Sequence, residues 1–171
     1  MLLASTTVHA QGLQCPETPL LQTGFEPASG PPVPASFGER AALDLMNCAR
    51  RQVDPPATPA LAPLSWSTTL ADAAQARANA CSTQFDLSNG FGQFFATGSA
   101  GANALPNAVN LVLAQRSQYD YASNTCLGGG LLCRNYTQVV ARNATATGCG
   151  VAACGVTWCF FDTIQSAGRP Y

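Results

Sequence analysis

Residues 133–149 read CRNYTQVVARNATATGC. Within them, Tyr136 to Val140 is expected to form a strand, and Thr145 to Cys154 and Val156 to Phe161 to form two more, with turn residues between. The stretch also holds two N-x-T triplets, Asn135-Tyr136-Thr137 and Asn143-Ala144-Thr145. They read as N-glycosylation acceptors if the chain passes through a eukaryotic secretory pathway. The absence of lysine and the wealth of alanine hint instead at GC-rich bacterial coding, in which the triplets carry no meaning.

Working toward the N-terminus, Pro106 suits the first turn of a helix whose apolar face continues through Val109, Val112 and Leu113. The segment from Gly90 to Gly101 holds four glycines and is expected to be a mobile loop. Leu70, Ala73, Ala74, Arg77, Ala78 and Cys81 share one side of another helix, whose alanines let a neighbouring element approach closely. Asp72 near its start suits the helix dipole. Ser36-Phe37-Gly38-Glu39 reads as a capping box. The helix it opens buries Ala42, Leu45, Met46 and Ala49, and Pro55-Pro56 ends the element. A second proline-rich loop, Asp54 to Pro63, leads to Trp66.

The chain divides into three parts. Residues 1–10, from Leu2-Leu3-Ala4 to Val8-His9-Ala10, read as a truncated secretory signal cleaved after Ala10, short of the usual basic n-region. A frayed terminal tail is the alternative reading. Residues 11–35 form an extended proline- and glycine-rich arm, and 36–171 form one folded domain. No apolar run approaches the ~20 residues of a membrane span, so the expected product is released, secreted and extracellular; it is expected to be a monomer.

Composition narrows the chemistry. The formal charge of −1, with nothing basic clustered, gives no reason to expect a nucleic-acid partner. Charged residues make up 10% of the chain, against the roughly 25% of ordinary soluble proteins. Lysine is absent and His9 is the only histidine, which removes lysine nucleophiles and, after cleavage, any imidazole base. Within the domain the carboxylates are Glu39, Asp44, Asp54, Asp72, Asp86, Asp120 and Asp162. A serine triad would lack its base. The reading is therefore non-enzymatic, with no cofactor.

Eight cysteines form an even set, which favours disulfides in an oxidising compartment. Zinc ligation competes, but Cys149, Cys154 and Cys159 are loosely spaced and have no histidine near them. Spacing alone does not choose among the connectivities.

The stretch at 133–149 resembles the signature of the CAP superfamily of cysteine-rich secretory, antigen 5 and pathogenesis-related class 1 proteins. That signature runs roughly Gly/Arg-His-Tyr-Thr-Gln-Val-Val-Trp and ends in Gly-Cys; here Asn135 stands for the histidine and Ala141 for the tryptophan. Asn47 and Arg50 resemble the family's Asn-x-x-Arg, and Leu64-Ser65-Trp66 its Leu-x-Trp. The run from Ala108 through Arg116 to Tyr119-Asp120-Tyr121 and Cys126 is similar to the plant-type proteins, as is Gly168-Arg169-Pro170-Tyr171. The resemblance covers about residues 37 to 171. It implies an α+β fold, a three-layer α-β-α sandwich around a short antiparallel sheet, crosslinked by Cys81–Cys154, Cys126–Cys133 and Cys149–Cys159. Cys15 and Cys48, without family counterparts, are expected to pair.

The resemblance also implies a polar cleft that usually carries two histidines and two glutamates, a set able to hold a divalent metal. Here the corresponding positions are Gln93, Gln115 and Asn135, with the second histidine falling between Phe85 and Ser88, at Ser88 if no gap is allowed. Amides neither titrate near neutral pH nor bind zinc well, so the cleft is expected to be metal-free. Gln93, Gln115 and Asn135 are expected to form a buried amide network. A neutral patch open to a ligand hydroxyl or carbonyl is the alternative. Some members of the family bind sterols or fatty acids near the bridge corresponding to Cys126–Cys133. Tyr119, Tyr121, Leu127, Leu131 and Leu132 lie there, and Gly128 to Gly130 allow the loop to flex. The expectation is an extracellular binder of a sterol or fatty acid. The alternative is a defence- or effector-type module that contacts an extracellular protein.

Overall fold

The computed structural model describes Pro34 and residues 36–98, 101–129, 133–165 and 167–171. The expected signal, nearly all of the arm, Cys15, Leu131 and Leu132 lie outside the described residues. Helix α1, Phe37–Arg51, opens on the capping box: the Glu39 amide donates to Ser36 Oγ at 3.2 Å, and the Ser36 amide to Glu39 Oε2 at 2.7 Å. Ala42, Met46 and Ala49 turn its apolar stripe inward. Strand β1, Ser65–Trp66, runs directly into α2, Thr68–Asn79, which Ser67 caps; Asp72 lies beyond its first turn.

Strand β2 is Gly92–Thr97, and α3, Ala104–Leu113, carries Pro106 in its first turn before a 3₁₀ turn at Ala114–Gln118. The short strands β3, Tyr119–Asp120, and β4, Thr125–Cys126, form a separate hairpin. Helix α4, Arg134–Val139, then leads to β5, Ala146–Val151, and β6, Val156–Phe161. The main sheet has the order β1-β5-β6-β2. Its β2–β6 and β5–β6 pairs are antiparallel, whereas the two residues of β1 pair parallel to β5.

Helix α2 covers one face of this sheet, and α1, α3 and α4 cover the other. Strand β6 serves both sides. Trp158 and Phe160 pack with Leu70, Ala74 and Ala78 of α2, while Cys159 and Phe161 join Met46, Val109 and Val112. All six β6 residues are buried, as expected of a strand with helices on both faces. Close approach of α2 depends on Gly148 and Gly150: a Cβ at Gly148 would collide with the Ala71 amide, and one at Gly150 with the Gln75 backbone.

Two expected elements differ. Tyr136 to Val140 lies in and just after α4 instead of in a strand. Tyr136, Val139 and Val140 recur at helical spacing and are all buried, so burial on every side erased the alternation that separates helix from strand. The expected mobile loop at Gly90 to Gly101 contains β2. Its glycine at position 92 is a site of close packing, where a Cβ would meet the Gln138 side chain and the Thr163 carbonyl. The expected strand Thr145 to Cys154 forms as β5, shorter at both ends.

Among the described residues three disulfides fasten the layers. Cys81–Cys154 ties the end of α2 to the β5–β6 turn, Cys126–Cys133 ties β4 to the start of α4, and Cys149–Cys159 links directly opposed residues of β5 and β6. These are the pairs implied by the resemblance. Cys48 is buried, and its expected partner lies outside the described residues.

Candidate functional site

Helix α4 owes its position to a buried cation. Arg50 is 1% exposed, and its guanidinium donates to the carbonyls of Ala62, Val139, Ala141 and Ala144 at 2.8 to 3.2 Å. Those acceptors include the carbonyls at the C-terminal end of α4, which a helix leaves without internal partners. Gln138, 4% exposed, fixes the other side. Its Nε2 donates to the Thr163 carbonyl at 2.9 Å, and its Oε1 accepts the Gln165 amide at 2.8 Å.

Between these elements runs a groove of about 840 Å³. Phe91, Gln93 and Phe95 contribute from β2 and its approach, and Arg134, Asn135, Thr137 and Gln138 from α4. The far wall comes from Tyr119, Thr125, Cys126 and Gly129, and from the segment between Ile164 and Pro170. Phe85 projects at the rim. It packs edge-on against Phe95 at 5.3 Å and Trp158 at 5.4 Å, yet remains 44% exposed. Ile164, also in the lining, is 42% exposed.

The four expected cleft positions do not all reach the groove. Gln93 and Asn135 both line the groove, whereas Ser88 and Gln115 do not. Gln93 is fully engaged with its own loop: Oε1 accepts the Asp86 amide, and Nε2 donates to the Asp86 carbonyl and to Asn89 Oδ1. Ser88 closes the same turn by donating its amide and hydroxyl to Asp86 Oδ1. These two hydrogen bonds hold the Asp86 carboxyl below its ordinary range. The expected network of Gln93, Gln115 and Asn135 is therefore absent. Gln115 has a buried Oε1 without a partner, and the Asn135 carboxamide has no hydrogen-bond partner among the described residues. Each amide sits on a different element, and Gln93 is satisfied within its own turn.

A divalent metal does not fit these side chains. Two are neutral amides on separate walls of the groove, and the Gln93 oxygen already accepts a backbone amide. Among the described residues no three His, Cys, Asp or Glu side chains cluster. The titratable groups lining the groove are Arg134 and Tyr119. Burial, helped by the nearby Tyr171 and Tyr121, pushes the Tyr119 phenol up to about 12, so it stays protonated at neutral pH. Its hydroxyl donates to Asn124 Oδ1 at 2.9 Å.

Of the aromatic and leucine set expected near the Cys126–Cys133 bridge, Tyr119 reaches the groove. Tyr121 stacks on Tyr171 at 4.8 Å instead, and its hydroxyl donates to the Tyr171 carbonyl. Leu127 is half-exposed outside the lining. Sequence reasoning missed Phe85, Phe91, Phe95 and Ile164. The segment from Gly90 to Gly101 and its approach hold phenylalanines at 85, 91, 94 and 95, but in no regular alternation that would have marked a wall.

A sequence model of the cysteine-rich secretory protein family, CAP, matches residues 43–161. Pathogenesis-related leaf protein 6 of Solanum lycopersicum is 38% identical over 136 residues, 75% of this chain and 80% of its own. Pathogenesis-related protein 1A of Nicotiana tabacum is 33% identical over 70% of this chain and 71% of its own. Among solved structures, venom allergen-like protein 4 of Schistosoma mansoni superposes with a TM-score of 0.68 at 25% identity, covering 80% of this chain and 94% of its own. A structure of NaASP2 with Zn2+ superposes at 0.63 over 82% and 88% of the two chains, and at 18% identity the likeness is one of fold.

Proposed function

The chain belongs to the cysteine-rich secretory protein (CAP) family, and on that premise we propose that it is a secreted, defence-related, non-catalytic domain that binds an apolar small molecule, a sterol or fatty acid, in the groove between β2 and α4. The observation that carries this reading is the lining itself. Phe85, Phe91, Phe95, Tyr119 and Ile164 provide apolar wall, and Gln93 and Gln138 spend their polar atoms on the protein's own backbone. A volume of about 840 Å³ falls within the roughly 300–1,000 Å³ of small-molecule sites. Acid–base chemistry finds no group there that titrates near neutrality, which supports binding over catalysis. Secretion is supported by the three disulfides, since such bridges persist in oxidising compartments.

Native mass spectrometry of the oxidised protein, purified from its producer's medium, tests this reading. An apolar adduct that palmitate or cholesterol displaces supports it. A bare mass, with no saturable binding of either compound, overturns it in favour of the interaction module. That second reading draws on the exposed Phe85 and Ile164 of the lining, which a protein partner would cover.

A further inference from the structure

We infer that the N-terminal arm is fastened along α1 as a covalent strap, through a fourth disulfide, Cys15 to Cys48, for which the family resemblance offers no counterpart. Elimination carries the pairing. The chain has eight cysteines, and six of them are taken by the bridges already described. Cys48 is itself disulfide-bonded, and Cys15 is the one cysteine left within the chain. A bond to a second copy is the competing assignment. Cys48 is 3% exposed, however, which keeps its sulfur from a thiol on the surface of another folded molecule.

The other end of the arm is held at the start of the same helix. Pro34 is buried, and its carbonyl accepts from Arg40 Nη1 at 3.2 Å. From Arg40 to Cys48 the helix advances about 12 Å at 1.5 Å per residue. Residues 16–33 reach roughly 60 Å when extended, ample length to double back along α1. Asp44 and Gln52 stand one turn before and one turn after Cys48 on one stripe, and both are engaged. Tethering raises the effective concentration of the Cys15 thiol to the order of mM, well above that of a second copy. Closure is an oxidation: the two thiols give up two protons and two electrons to a disulfide donor of the secretory compartment, whose own S–S bond breaks to a dithiol. Cys48 falls between Asn47, which holds the loop before β1, and Arg50, which holds the end of α4. The strap therefore anchors the helix on which one groove wall depends, and the folded unit starts near Cys15 instead of at Ser36.

Peptide mapping of the unreduced protein, denatured with free thiols blocked and cut at arginine, tests the pairing. Arg40 and Arg50 bound a peptide that holds Cys48 and no other cysteine. It is expected to travel with the Cys15 peptide and to part from it on reduction. A blocked thiol at Cys48, or a link from its peptide to itself or to any other cysteine, overturns the inference. Chymotrypsin then tests the strap. A segment held at both ends must open before it is cleaved, so the arm of the parent should be cut at least about tenfold more slowly than that of a Cys15→Ser/Cys48→Ala variant. Equal rates overturn the strap and leave a bare tether. If the variant does not fold, the peptide map decides alone.

Discussion

Asn47 and Leu64 exchange two hydrogen bonds across 17 residues of chain: Asn47 Nδ2 donates to the Leu64 carbonyl at 3.0 Å, and the Leu64 amide donates to Asn47 Oδ1 at 2.7 Å. The carboxamide thus behaves like one rung of a β-ladder, holding the proline-rich loop to α1 just before β1 begins. One turn later on the same helix, Arg50 takes the Ala62 carbonyl and the end of α4. The Asn-x-x-Arg spacing therefore connects α1 to the loop and to the helix that forms one wall of the groove. Asn47→Ala strands a buried amide and a carbonyl at once, and is expected to destabilise the protein by about 2–4 kcal/mol. Asn47→Asp keeps the acceptor and loses the donor, and should fall between the two. Chemical denaturation of both variants checks the order.

Gln93 and Asn135 line the same groove and should respond oppositely to truncation. Gln93→Ala removes the bonds that hold Asp86 and Asn89, at about 1–3 kcal/mol. Gln93→Glu, a return to the residue type implied by the family resemblance, should also destabilise, because Nε2 faces two oxygen acceptors. Asn135→Ala breaks no bond and should stay within roughly 0.5 kcal/mol of the parent. Thermal melts separate the cases. A large loss in Asn135→Ala would contradict the unpartnered state of its carboxamide.

The disulfides close loops of different length and should differ in worth accordingly. Cys81–Cys154 spans 73 residues and Cys126–Cys133 spans 7. Chain-entropy reasoning assigns about 4.5 kcal/mol to the first and about 2.5 kcal/mol to the second. Paired Cys→Ser variants, compared by denaturant midpoint, should lose stability in that order. The Cys126/Cys133 variant should also weaken ligand binding, since both residues line the groove.

All four tyrosines gather near the C-terminal segment. Tyr119 lies 6.4 Å from both Tyr121 and Tyr136, Tyr121 stacks on Tyr171, and the Tyr171 hydroxyl donates to the Asp54 carbonyl. Burial raises the phenols of Tyr119, Tyr136 and Tyr171 above the ordinary value, Tyr119 to about 12. The folded state then holds protons that the unfolded chain releases near pH 10. Their stabilising contribution is complete below that pH and is lost as the pH climbs toward about 12. A spectrophotometric titration should show delayed tyrosinate formation in the folded protein and ionisation near the ordinary value in denaturant. Identical curves in the two states would refute the buried cluster.

By itself the sequence determined the family, the capping box of α1, the stripe of α2, strands β5 and β6, and three disulfide pairs. These depend on local periodicity, on side chains that cap their own helix, or on motif positions shared with relatives. Through the family resemblance it also led to the expectation that amides and a serine stand at the positions of the family's cleft histidines and glutamates. Tertiary structure decided the rest. Tyr136 to Val140 became helix because burial on all sides removed its alternation, and because the Arg50 guanidinium, distant in sequence, satisfies the carbonyls at its end. The glycine-rich segment became β2 because Gly92 permits contact with Gln138 and Thr163. The three amides went separate ways, since the fold sets each on a different element and gives Gln93 its partners within its own turn. For the same reason the groove is walled by phenylalanines from one end of the sheet and closed by residues near the C-terminus, a meeting that no local pattern in the chain encodes.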